Sequence, residues 1–218
     1  MKDNFVKVVF VVDESGSMYY NKQDVIGGFA SFIEEQKKVN TGNINISLYT
    51  FSNYVEKICS NASLDTVVML DENTYKPIGS TALYDALGTA IDETGAELRD
   101  MKEEDRPSKV LVIVMTDGEE NSSRNYSASK VKDMIAEQEG KYSWKFIYMG
   151  ADITNFADSA RLGLSRNISY DSHNTVMAYN AVADMAVEYR TRSLSVADAS
   201  VDSIVQSMND EYQKTHQS

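Results

Sequence analysis

The sequence has very little cysteine and histidine, and it lacks any long apolar run. Among 218 residues there are one cysteine and two histidines. A lone thiol, Cys59, excludes an intrachain disulfide and a thiolate zinc cage, which favours a reducing, cytoplasmic location. No apolar stretch approaches the roughly 20 residues that cross a bilayer, and residues 1–12 lack the pattern of a signal peptide. A membrane-embedded or disulfide-stapled protein is therefore not expected.

Basic residues are also scarce relative to acidic ones. Thirty-three Asp and Glu against 21 Lys and Arg give a formal charge of -12. This balance disfavours binding to nucleic acid and to anionic membranes. A hydrophobic content of 42% excludes extensive disorder, and the length fits one α/β domain with at most a short appendage. We expect domain residues 1–193 and an amphipathic tail over 194–218.

The hydrophobic pattern alternates between strands and helices. The segments 6–12 and 109–116, which are apolar apart from Lys7, Lys109 and Thr116, predict strands that are covered on both faces. Residues 20–39 and 83–101 follow helical spacing, and further helices are expected around 131–138 and 178–189. Residues 44–51 and 55–58 predict two antiparallel strands joined by a tight turn. The alternation predicts a doubly wound, Rossmann-like α/β fold with a mostly parallel sheet and helices on both faces.

Oxygen-bearing side chains cluster where the two central strands should end. Asp13, Ser15 and Ser17 follow the first run, Asp117 follows the other, and Thr81 precedes the clearest helix. In a doubly wound sheet the carboxyl ends of the strands form the ligand-binding edge. Hydroxyl and carboxylate oxygens suit Mg²⁺, with Mn²⁺ or Ca²⁺ as alternatives, and hydroxyls would leave the ion short of negative charge. Each residue taken alone is equally open to a simpler role, as a helix cap or a turn.

The three segments together resemble the motifs of von Willebrand factor type A domains. Asp13-Glu14-Ser15-Gly16-Ser17 resembles their Asp-x-Ser-x-Ser signature, 79–86 their threonine loop, and 116–118 their third element. The resemblance implies a six-stranded sheet with one antiparallel edge strand and neighbouring first and fourth strands. It also implies a metal-ion-dependent adhesion site. The residues that it assigns to the metal are Asp13, Ser15, Ser17, Thr81 and Asp117.

The resemblance implies a protein-interaction module rather than an enzyme, in which the cation bridges to an Asp or Glu carboxylate of a protein partner. Glu14, Glu119 and Glu120 should form an acidic rim, so that carboxylate should come from an otherwise neutral or basic surface. The missing signal peptide and the single cysteine are typical of compact intracellular members from bacteria and bacteriophages. For a viral protein, the location would be the host cytoplasm.

Two other functions remain open at this point. One is a structural or assembly component of a phage particle or chaperone complex, with little dependence on metal. The other is a magnesium-dependent phosphohydrolase that uses Asp13, although no carboxylate lies two residues beyond it and no lysine accompanies the motifs. The apolar stripe of the tail, which runs from Val201 to Tyr212, could pack on its own domain or dock on a partner.

Overall fold

The chain folds around one six-stranded sheet in a computed structural model that describes residues 2–151, 156–170 and 175–216. The strands, in chain order, are β1 (Lys2–Asp13), β2 (Asn43–Phe51), β3 (Val55–Ala62), β4 (Pro107–Thr116), β5 (Lys145–Ala151) and β6 (Asn167–Tyr170). Their order across the sheet is β3-β2-β1-β4-β5-β6, and only the β2–β3 pair is antiparallel. The predicted fold class is confirmed, with β1 beside β4.

Within the described residues, six α-helices cover the two faces of the sheet. They are α1 (Lys22–Lys38), α2 (Leu83–Asp100), α3 (Ala128–Tyr142), α4 (Ala157–Leu162), α5 (Thr175–Thr191) and α6 (Leu194–His216). Alternate residues of β1 point to opposite faces of the sheet. Val8 and Phe10 belong to the core that includes residues of α1, α5 and α6, whereas Val9 and Val11 belong to the core that includes residues of α2 and α3. Because both faces are covered, the middle of β1 is apolar except at Lys7, which is buried and paired with Glu97. None of the helices in the described ranges is long and apolar enough to span a bilayer.

Several element boundaries differ from the sequence prediction, and the differences at the first helix and at β3 have a physical reason. The first helix begins at Lys22 rather than Tyr20, because a short 3-10 turn at Gly16–Tyr19 comes first and places Met18 in the core. Strand β3 continues to Ala62 rather than ending at Ile58. Its register with β2 shifts near Leu48, which breaks the alternation that sequence reading relies on.

The C-terminal helix packs on its own domain. Val201, Val205, Met208 and Tyr212 of α6 are buried, and the helix contacts α5 and β6. Of the two interpretations of the tail, packing in cis accounts for its apolar stripe. The division of the chain at 193/194 stays a prediction.

Two adjacent glycines of α1 predict opposite effects of the same substitution. A Cβ atom on Gly28 would lie 2.0 Å from the buried Tyr179 ring of α5, whereas nothing lies within 4 Å of one on Gly27. Gly28→Ala is therefore expected to lower the free energy of unfolding by about 1–3 kcal/mol through overpacking. Gly27→Ala is the matched control and should raise it by about 0.5–1 kcal/mol, since alanine is the better helix former. Urea unfolding measures both, and equal effects would contradict the close α1–α5 packing.

Candidate metal centre

The predicted site residues meet at the carboxyl edge of β1 and β4, where the strand order reverses. Asp13 is the last residue of β1, and Asp117 directly follows β4. After β1 the chain continues to β2 on one side, and after β4 it continues to β5 on the other side. The loops that follow β1 and β4 therefore diverge at the edge of the sheet. Such a crevice is where doubly wound sheets place their ligands.

Backbone hydrogen bonds tie three loops together around this crevice. The amide of Gly16 donates to the carbonyl of Gly79 over 3.0 Å, and the amide of Ile78 donates to the carbonyl of Glu14 over 2.8 Å. On the other side of the threonine loop, the Asn121 amide donates to the Thr81 carbonyl over 3.0 Å. The three motifs, far apart in sequence, are therefore held in one place.

The side-chain oxygens of the site form a connected set. Ser15 Oγ and Ser17 Oγ lie 3.0 Å apart, and the Ser17 hydroxyl donates to Asp117 Oδ1 over 2.5 Å. The Asn21 amide donates to the other Asp117 oxygen over 3.1 Å. Asp13, Ser15 and Thr81 are buried, whereas Ser17 is exposed. The set therefore has a buried floor and a side that other molecules can reach.

Three of these oxygens approach the backbone of Gly118 closely. A Cβ atom built there would lie 2.9 Å from Thr81 Oγ1, 3.4 Å from Ser17 Oγ and 3.7 Å from Asp13 Oδ2. Oxygens from three loops thus lie within 4 Å of one point, which we call the space beside Gly118. A side chain at position 118 would crowd Thr81 Oγ1 there.

The hydroxyls of Ser15 and Thr81 are not used as helix caps. Ser15 precedes the 3-10 turn without a side-chain capping bond, and α2 begins after Ala82 rather than after Thr81. The free amides at the start of α2 are satisfied from elsewhere: Tyr84 donates to the Glu120 carboxylate and Asp85 donates to the Ser123 hydroxyl. The capping role that each residue could have alone is therefore not the one adopted here.

Asp13 is held by three partners that sequence reading did not assign to it. Its Oδ1 accepts from the Ser15 amide over 2.7 Å and its Oδ2 from the Thr116 hydroxyl over 2.5 Å, while its carbonyl accepts from the Tyr75 hydroxyl over 2.5 Å. Thr116 lies inside the third motif, so its position could have been predicted from the sequence. No sequence pattern marks Tyr75 or Asn21, because only the folded loops bring them to the site.

Burial sets the electrostatics of the two carboxyl groups. Desolvation raises the pKa of Asp13 to about 6, against the hydrogen bonds from Thr116 and Ser15, and the nearby Asp117 charge adds to the rise. Desolvation also raises the pKa of Asp117, opposed by its hydrogen bonds to Ser17 and Asn21. Two acidic groups in one crevice thus favour a compensating positive charge.

The three acids of the predicted rim differ in exposure and in hydrogen bonding. Glu119 is exposed, whereas Glu14 and Glu120 are half-buried. One Glu14 oxygen accepts from the Lys76 amide. The Glu120 carboxylate accepts from the amides of Ser122, Ser123 and Tyr84, so it also satisfies free amides of a loop and a helix. That these acids form a rim around the site stays a prediction.

Comparison with known proteins agrees with the fold. The sequence profile of the von Willebrand factor type A domain matches residues 7–162. The chain belongs to this family. Solved structures that it resembles include the PilB minor pilin from Streptococcus sanguinis, with 14% identity, a TM-score of 0.60, and coverage of 82% of this chain and 60% of the pilin chain.

Two further structures show the range of proteins that share this fold. Proximal thread matrix protein 1 from the mussel byssus, solved with a zinc-occupied adhesion-site motif, has 17% identity and a TM-score of 0.56, covering 83% of this chain and 45% of its own. The von Willebrand domain of the pilus tip protein Mfa5 from Porphyromonas gingivalis has 12% identity and a TM-score of 0.57. The match covers 86% of this chain and 97% of the Mfa5 domain. The chain spans less than two thirds of the pilin and mussel chains, and identities this low show the fold alone.

The raised pKa of Asp13 predicts that the free energy of unfolding of the metal-free protein decreases as the pH rises. Since the folded-state value exceeds 3.8, this group contributes stability that is complete below about pH 3.8 and is lost as the pH rises through about 6. The stability of Asp13→Asn relative to wild type in EDTA should therefore increase by roughly 1–2 kcal/mol between about pH 5 and pH 7.5, because asparagine does not ionise. Urea unfolding at the two pH values measures it.

Asp65→Asn is the control for this prediction. Asp65 is exposed and lies beyond the end of β3, at the opposite edge of the sheet. Its substitution should change the free energy of unfolding by the same small amount at both pH values. A margin for Asp13→Asn that shrinks as the pH rises would show that the buried carboxylate is not the costly group.

Proposed function

We propose that this protein is a divalent-metal-dependent interaction module whose cation site receives an acidic side chain of a protein partner. In this proposal Ser15, Ser17 and Thr81 provide hydroxyl oxygens to the cation. Asp13 and Asp117 orient those hydroxyls or bound water. Mg²⁺ is the cation we favour, with Mn²⁺ and Ca²⁺ as alternatives, because all five side chains offer hard oxygen atoms.

The observation that carries the proposal is the space beside Gly118. It is bounded by oxygens from three loops, and the hydroxyls around it are not consumed by helix capping. No group of three or more His, Cys, Asp and Glu side chains suited to a metal occurs in the part of the chain that the structure describes. A cation site here would therefore depend on hydroxyls.

The choice of partner follows from charge. Hydroxyl oxygens are neutral, and both Asp13 oxygens already accept hydrogen bonds from Ser15 and Thr116. A cation bound among such groups supplies an electrophilic centre that remains short of negative charge. The exposed Ser17 marks the open side, from which a carboxylate of another molecule can approach. Binding, rather than turnover, is the role that these groups suit.

A catalytic role has less support. The hydrogen bonds described for Asp13 and Ser17 include no histidine, lysine or arginine that could act as a proton donor or acceptor. We therefore propose a non-enzymatic protein.

The formal charge of -12 supports a protein without nucleic-acid or membrane partners. The single cysteine favours a reducing compartment, and the cytoplasm of a bacterium or of an infected host fits it.

Gly118→Ala tests the metal site without removing any proposed ligand. The added methyl group enters the space between Thr81, Ser17 and Asp13, so Mn²⁺ affinity should fall by roughly tenfold or more. Gly95→Ala, in α2 with nothing within 4 Å, is the matched control and should bind Mn²⁺ as the wild type does. Titration calorimetry measures the affinities. An unchanged affinity in Gly118→Ala would remove the space beside Gly118 as a cation site.

A capture experiment tests the partner. The immobilised chain is incubated with extract from cells that produce it, in Mg²⁺, in EDTA, and in Mg²⁺ after the extract's carboxyl groups have been amidated. We expect a specific protein to be retained only in Mg²⁺ with intact carboxyl groups, and to be lost with Thr81→Ala but not with Asp65→Asn. The first variant removes a proposed ligand, whereas the second leaves the site intact.

The same preparation distinguishes the other functions. Retention that is equal in EDTA and Mg²⁺ would favour a metal-independent assembly component. Magnesium-dependent hydrolysis of a phosphate ester that disappears in Asp13→Ala would favour a phosphohydrolase. Either outcome would contradict the interaction module.

A further inference from the structure

Four large apolar or aromatic side chains are exposed around the candidate metal centre. The exposed fractions are 65% for Tyr19, 91% for Tyr20, 69% for Tyr54 and 71% for Ile78. Large exposed apolar side chains that gather beside a site are typical of interaction surfaces, whereas scattered ones need no explanation. We refer to these four residues as the tyrosine rim.

The loops of the site place the tyrosine rim on one edge of the sheet. Tyr19 and Tyr20 follow Ser17 after the buried Met18, and their rings meet edge to face with centroids 5.7 Å apart. Ile78 precedes Gly79, whose carbonyl accepts from the Gly16 amide. These contacts put rim residues on two of the loops that surround the metal centre.

Tyr54 joins the rim through the turn between β2 and β3. This turn follows Phe51, which pairs with Asp13 at the carboxyl ends of β2 and β1. Within the turn, Asn53 Oδ1 accepts from the Ser80 amide over 2.5 Å, which fixes the turn against the threonine loop. The side chain next to Asn53 is therefore carried to the same edge as the metal centre.

Tyrosine suits a surface that recognises another protein. It offers a large, rigid contact area that costs little conformational entropy when it is immobilised, and its hydroxyl stays satisfied beside water. Tyrosine is also enriched among the residues that dominate interface affinity. Three tyrosines and one isoleucine around a charged centre thus match an apolar contact zone with a polar middle.

The charges on this edge narrow the occupant further. Glu14 and the exposed Glu119 flank the centre, Lys76 is the exposed basic residue of the neighbouring loop, and the whole chain has a formal charge of -12. A partner segment rich in acids would be repelled by this surface. A segment with one acid among apolar and basic residues complements it.

We infer that the occupant is a short segment of another protein in which a single Asp or Glu is flanked by apolar or aromatic residues and by Lys or Arg. Its carboxylate faces the metal centre and its flanking side chains lie on the tyrosine rim. The inference rests on the proposed function, because the carboxylate needs the cation site. It adds the sequence character of the partner, which the site residues alone do not specify.

Selection from a random peptide library tests this inference. The probe is a library with a fixed central Asp and random flanking residues, selected on the immobilised chain in Mg²⁺. We expect enrichment of Phe, Tyr, Trp or Leu beside the Asp, enrichment of Lys or Arg, and depletion of further acids. Affinities of the enriched peptides are then measured with rim variants.

The double variant Tyr19→Ser with Tyr20→Ser should weaken binding of the enriched peptides by roughly tenfold or more while leaving Mn²⁺ affinity unchanged. Tyr142→Ser is the matched control, because Tyr142 is also exposed, at 58%, but ends α3 at the opposite edge of the sheet. It should bind the peptides as the wild type does.

The outcomes separate the inference from the function on which it rests. If peptides bind through their Asp and release in EDTA but show no flanking preference, or if the double variant binds them equally, the tyrosine rim is not the contact and only the inference fails. Failure of the library to yield any binding sequence would overturn the short segment as occupant. If replacing the central Asp by Asn or adding EDTA has no effect, the proposed function itself is wrong.

Discussion

The buried carboxylate of Asp13 is the group on which the arrangement of the site depends. Each of the three oxygens of Asp13 accepts a hydrogen bond from a different residue: Oδ1 from the Ser15 amide, Oδ2 from the Thr116 hydroxyl, and the backbone carbonyl from the Tyr75 hydroxyl. Together these bonds connect β1, β4 and the loop before the threonine motif. The same burial that makes the carboxylate a good anchor raises its pKa, so the anchor is costly unless a positive charge is present. In the proposed function, stability and ion binding are therefore linked at Asp13.

A second constraint is that the residues that cap helix α2 differ from the residues that are proposed to bind the cation. Helix α2 begins beside the site and needs acceptors for its free amides. Glu120 and Ser123 of the loop after β4 provide them, so that the Thr81 hydroxyl is left facing the space beside Gly118. The buried Asp85 in turn accepts from the amides of residues 124–126, which holds that loop in place. Glu120 and Asp85 thus satisfy the free amides around the site, so that the Thr81 hydroxyl is not needed as a helix cap.

Much of the fold could be predicted from local sequence patterns. The runs in β1 and β4 are apolar because both faces are covered, and the helical spacing in α2 is unambiguous, so their type and place could be read directly. The start of α1 and the end of β3 could not, because a 3-10 turn and a register shift obey contacts with other segments rather than periodicity. The candidate oxygens followed from spacing and resemblance. Their partners Asn21 and Tyr75 did not, since no short-range pattern marks them.

The sequence by itself determined the alternation of strands and helices, the edge at which the oxygen-bearing loops emerge, and the acidic character of the chain. These depend on side-chain periodicity and composition, which are local or additive properties. Only the tertiary structure decided which side chains satisfy the free amides at the start of α2. The Thr81 hydroxyl does not cap this helix, whereas the Glu120 carboxylate accepts from its Tyr84 amide. It also decided that Tyr20 stays exposed beside the site while Tyr75 is buried beneath it. Those outcomes depend on which distant amides, hydroxyls and apolar surfaces meet, and that is settled only when the loops close over the sheet.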